Sequence, residues 1–140
     1  MQPIHIHTFG AFDVPVNGNI KFTQPGDKRS LELKDPGTGR IPPMTLLASG
    51  GDSPEKILEE IQVWCEETNY RPARGFELAS LGKLPLAPDE RQKVQCAVAI
   101  GSKLDDQVVS LFGNDCTPRL IPVSELQSQS HMFAVVPNDQ

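Results

Sequence analysis

The residues best suited to chemistry in this chain are its histidines. His5 and His7 lie two apart in an extended stretch, so both imidazoles leave the same face of a strand, as a metal site requires. His131, the third histidine, opens an apolar run near the end of the chain and completes a three-histidine set if the terminal strands are neighbours. Asp13 falls on the same outer face of the first strand. This spacing supports a metal-binding protein or a metal-dependent enzyme using His5 and His7. The same alternation also supports a plainer reading, in which Ile4 and Ile6 face the core and the two histidines are solvated. Other catalytic signatures are missing. There is no Gly-x-Ser-x-Gly elbow, no Cys-x-x-Cys and no Cys/His pair at metal spacing. Paired carboxylates, Asp105-Asp106 and the Glu pairs of residues 55–67, sit in exposed contexts. The residues thus favour a module without catalytic activity and imply no cofactor.

A second candidate is electrostatic. Between Asp52 and Asn69 there are six acids and one base, a balance of −5 that equals the net charge of the whole chain. The body is neutral and one helix surface is acidic. Glu55, Glu59, Glu60 and Glu67 form the candidate binding set, for a basic protein partner or for self-association; the alternative is a solvated face that keeps the protein soluble. Glu55 and Glu59 repel at i,i+4, and Glu66 and Glu67 sit where the helix dipole disfavours anions. Either Arg71 and Arg74 fold back to compensate, or a basic partner does.

The element that carries these acids is the clearest in the chain. Ile57, Leu58, Ile61, Trp64 and Cys65 recur on one face at 3.6 residues per turn, which predicts an amphipathic helix over about 53–69. Ser53 or Asp52 caps it, and Pro54 suits its first position, where no N–H is needed. Trp64 at the centre of the apolar arc is expected to be buried. Residues 4–16 read as a strand with Ile4, Ile6, Phe12, Val14 and Val16 inward. A three-residue loop Asn17–Asn19 would then pair Val16 with Ile20 and Val14 with Phe22. Leu31 and Leu33 mark a short strand. Ile41–Ala48, with its prolines, suits an edge strand. Phe76–Leu86 is ambiguous. Lys93–Ile100 alternates through Val94, Cys96, Val98 and Ile100, with small Ala97 and Ala99 opposite. Gln107–Phe112, Arg119–Val123 and Met132–Val136 follow as short strands, with a helical turn opening at Ser124. The expected fold is α+β: an antiparallel or mixed sheet of about six to eight short strands with one long helix packed on it.

Composition sets the outer bounds. At 140 residues, residues 1–140 are most simply one globular unit, and 13 prolines with 11 glycines demand many turns. No apolar run is long enough to span a membrane, and the start lacks a signal-peptide pattern. Cys65, Cys96 and Cys116 are odd in number and widely spaced; Cys65 and Cys96 read as small buried hydrophobes with reduced thiols, and a cytoplasmic location follows. The loop Asp35–Arg40 lacks the Gly-Lys-Ser/Thr ending of a phosphate loop.

Several pieces resemble the opening of the winged-helix domain of the SARP-type bacterial transcription activators. They are His7-Thr-Phe-Gly-Ala-Phe-Asp-Val, Asn17-Gly18, Lys28-Arg-Ser-Leu-Glu-Leu33, Leu46-Leu-Ala-Ser-Gly-Gly-Asp-Ser-Pro-Glu-Lys-Ile-Leu58 and Trp64. The resemblance covers less than half of the chain and implies a bacterial nucleic-acid-binding regulator. Pro36, Pro42 and Pro43 interrupt the family's first helix, no basic recognition helix follows Trp64, and the candidate helix is acidic where phosphate binding needs basic residues. The residues therefore favour a small soluble binding or protein-interaction module, with a small-molecule ligand open and nucleic acid disfavoured.

Overall fold

The computed structural model describes residues 2–10, 19–23, 30–34 and 41–138. In chain order the elements are β1 (Ile4–Phe9), β2 (Asn19–Thr23), β3 (Ser30–Lys34), β4 (Met44–Ala48), α1 (Pro54–Thr68), β5 (Tyr70–Pro72), α2 (Gly75–Gly82), α3 (Pro88–Val94), β6 (Ala97–Leu104), β7 (Gln107–Phe112), β8 (Thr117–Pro122), a 3-10 turn (Val123–Glu125) and β9 (Met132–Pro137). Seven strands form one mixed sheet in the order β1-β4-β9-β6-β7-β8, with β5 also on β9; β2 and β3 make a separate antiparallel pair. The α+β expectation holds, but among the described residues α1 is the longest of three helices rather than the only one.

β9 is the hub. Four of its residues, Phe133 to Val136, are buried, as a strand covered on both faces requires. β4 pairs antiparallel with one edge, Leu46 opposite Ala134. The other edge is shared. β6 runs parallel to its start, Val98 opposite Phe133. β5 runs antiparallel to its end, Arg71 opposite Val136. β6 therefore diverges from β9 to admit β5, and the Gly101 N–H donates to Ala73 O at 2.9 Å across the split.

Each face of the sheet has its own core. On one, Ile57, Ile61 and Cys65 of α1 pack on Leu47, Val98, Val108, Phe133 and Val135. On the other, Leu78 and Leu81 of α2 and Val94 at the end of α3 pack on Met44, Leu46, Ala97, Ala99 and Ala134. The small Ala97 and Ala99 are what let α2 approach. The ambiguous stretch after the long helix is thus the second helical layer. α2 gives no clean stripe because nearly all of it is buried, including both terminal glycines.

Three expectations are corrected. β4 lies inside the sheet, since Pro42 and Pro43 precede the strand rather than interrupt it. The best late strand begins at Ala97, so Val94 belongs to α3 and Cys96 is exposed rather than buried. β1 presents the opposite phase: Ile4 is 66% and Ile6 41% exposed, while Phe9 is 1% exposed. The register explains it. His5 faces Leu47, His7 faces Leu46, and Ile6 is the extra residue of a bulge on an edge strand. β2 pairs with β3, Phe22 opposite Leu31. The anticipated loop after residue 16 and the partners Phe12, Asp13, Val14 and Val16 lie outside the described residues.

Candidate functional site

α1 forms as its sequence dictates. Ser53 sits extended before it and its side chain accepts from the Lys56 N–H at 3.3 Å, with Pro54 at the first position. Asn69 ends it in the left-handed region at φ 60°. The chain reaches α1 from β4 through Ser49-Gly50-Gly51. A Cβ on Gly51 would lie 2.8 Å from the Ile57 backbone nitrogen, so only glycine lets this loop lie against the first turn.

Between this loop, the Gln2-Pro3 segment and the outer side of α1 runs an open groove of ≈ 440 Å³. Among the described residues, Asp52, Glu59, Glu60 and Glu67 line it with Lys56 as the one base, and Val63 and Trp64 supply apolar surface. Glu59, Glu60 and Glu67 of the sequence-derived set thus meet in one place; Glu55 is exposed elsewhere on the helix. Asp52 and Trp64 are the members sequence reasoning left out. Trp64 is half-buried at the rim of the core rather than at its centre. Its ring lies 5.0 Å from that of Tyr70, and Cys65 takes the interior position.

Glu60 is built in more firmly than its neighbours. Its Oε2 accepts from the Ser49 hydroxyl and from the Gly50 N–H at 3.0 Å, so one carboxylate oxygen holds the loop. Its Oε1 is enclosed and has no hydrogen-bond partner. An enclosed carboxylate oxygen without a donor is costly, and a cation or N–H donor in the groove would satisfy it. Among the described residues, two candidate bases are already engaged. Arg71 is committed to Glu77 through two 2.9 Å bonds, and Lys56 to Asp52 at 3.3 Å in an exposed pair.

The histidines are not brought together. The bulge turns His5 and His7 to opposite faces of β1. His5 Nε2 meets the Thr8 hydroxyl at 2.7 Å, and Thr8 meets Thr45 at 3.0 Å. His7 stacks edge-on against Phe9 at 4.6 Å and lies 3.5 Å from Glu90 on α3, outside hydrogen-bond geometry. His131 precedes β9, and β4 separates β9 from β1. Among the described residues no three His, Cys, Asp or Glu side chains gather at a metal distance.

Burial pushes the Cys65 thiol up to about 11, with Glu66 adding to the effect, from an ordinary value of 9.0. Its folded value lies above its unfolded one, so the contribution to stability is complete below about 9 and is lost as pH rises to about 11. In urea melts across that range, wild type is expected to lose more stability than Cys65→Ala. Parallel curves would exclude Cys65 as the source.

No helix among the described residues is long and apolar enough to cross a membrane. Comparison with protein-family models, curated proteins and solved structures gave no match to this chain. The segment that resembles a winged-helix opening here forms β4 and α1 of a mixed sheet, with α1 packed on that sheet.

Proposed function

We propose that this protein is a small binding module whose acidic groove takes a basic segment of a partner protein. The observation that carries the reading is the enclosed, donor-less Oε1 of Glu60 in a groove with three further carboxylates and a half-buried tryptophan. An arginine or lysine fits this surface in both its parts. Its cationic head meets Glu59, Glu60 and Glu67, and its aliphatic stem lies on Val63 and Trp64, with a cation–π contribution from the indole. Such a surface also steers association, so the on-rate should fall as salt screens it.

Trp64 is the sole tryptophan and reports on the groove directly. A capped tetra-arginine peptide is expected to shift its emission saturably, and more weakly as salt rises. Glu59 and Glu67 are exposed and hold no loop, so a Glu59→Gln, Glu67→Gln double variant tests the charge without disturbing the fold. It is expected to weaken binding about fivefold to tenfold. Glu60 is left intact because its carboxylate also closes the Ser49–Gly50 loop. An unchanged Trp64 emission at low salt, or equal binding by the double variant, would make the acids a solvated face.

A further inference from the structure

A second groove, of ≈ 400 Å³, opens at the end of the sheet where β6 and β9 begin. Its chemistry is the reverse of the first. The parallel register that sets Ala97 beside Met132, with the Met132 N–H donating to Cys96 O at 2.9 Å, brings Cys96 and His131 side by side. The neighbouring strands add Phe112, Arg119 and Ile121 to its wall, all on one face of the β7–β8 pair. Arg119 lies over the Phe112 ring at 4.3 Å and forms no ion pair with a described carboxylate. Phe112 is 59% exposed, so the stacked guanidinium lies at the surface.

His131 complements this cation. Its Nδ1 accepts from the Gln127 N–H at 3.2 Å, which places the ring proton on Nε2. Burial holds its pKa below the ordinary imidazole value, so at neutral pH the ring is an uncharged donor. A fork of N–H donors beside an apolar lining suits an oxyanion attached to an apolar body.

We propose that this groove binds a small organic oxyanion, its carboxylate or phosphate head on Arg119 and its apolar body against Ile121 and the Phe112 ring. The site is separate from the acidic groove and independent of its reading. Cys96 provides the readout. It is the exposed cysteine, whereas Cys65 and Cys116 are buried. Iodoacetamide, a neutral reagent, should therefore modify Cys96 in the folded protein and the other two only on unfolding.

The test compares benzoate and phenyl phosphate with the uncharged benzamide, at matched ionic strength. An anion at ten times its Kd leaves about a tenth of the grooves open, so alkylation should slow about tenfold. Benzamide should give no protection. Protection by benzoate alone assigns a carboxylate ligand, and by phenyl phosphate alone a phosphate ester. Arg119→Gln removes an exposed side chain. It should abolish the protection while leaving the melting temperature and the unprotected alkylation rate as in wild type. If neither anion slows the reaction, or if both slow it equally in Arg119→Gln, the site is not there.

Discussion

Replacing Arg71 with alanine is expected to destabilise the fold by about 3–5 kcal/mol, more than replacing its partner Glu77. Glu77 is 4% exposed and Arg71 32%, and their side chains meet in a two-pronged pair with both bonds at 2.9 Å. Glu77 also accepts from the Arg74 N–H at 2.8 Å, holding the start of α2. Removing Arg71 leaves a carboxylate that is 4% exposed without its two-pronged cationic partner. Removing Glu77 leaves a guanidinium that can turn outward, so Glu77→Ala should cost about 2–3 kcal/mol, part of it from the lost helix start. The two residues share one interaction, so the double variant should cost less than the sum. Urea midpoints of the three variants decide it. A Glu77→Ala variant less stable than Arg71→Ala would overturn the argument from unequal burial.

Gly101→Ala is expected to cost about 3 kcal/mol or more, a large effect for one methyl group. A Cβ at this position would lie 2.5 Å from Pro72 O and 2.6 Å from Ala73 O. Both are backbone atoms of the segment inserted between β6 and β9, so no side-chain rotation relieves the clash. The segment must withdraw, and with it go the Gly101 N–H bond to Ala73 O and the Ala73 N–H bond to Ala134 O, both 2.9 Å. Gly10 has no described atom within 4 Å of its Cβ position and serves as the control: Gly10→Ala should leave the unfolding free energy from urea melts within about 0.5 kcal/mol of wild type. A Gly101→Ala variant as stable as the Gly10 control would show that β5 yields easily.

Features set by short-range chemistry were legible in the sequence. α1 needs its apolar period, Ser53 ahead of it and Pro54 at its start, and all three lie within one window of residues. β9 reads as an unbroken apolar run because it is covered on both faces, and Ala97 and Ala99 left room for a closely packed second layer. The acids Glu59, Glu60 and Glu67 share a helix face by periodicity alone. What lay beyond the sequence depends on which segments become neighbours. Alternation over Val94–Ile100 ran across a boundary, because Val94 is buried at a helix end and Val98 in a strand, and burial looks the same in either. Ile4 and Ile6 were read inward, because a bulge on an edge strand reverses the phase and leaves no mark in composition. That same bulge separates His5 from His7, whose spacing promised one face. Tertiary structure alone added Asp52, Trp64 and the Ser49–Gly50 loop to the acids. It also set Cys96 and His131 together through a parallel pairing between segments some 35 residues apart. Periodicity is a property of one segment, whereas a groove belongs to several, and only the packing of the sheet decides which ones meet.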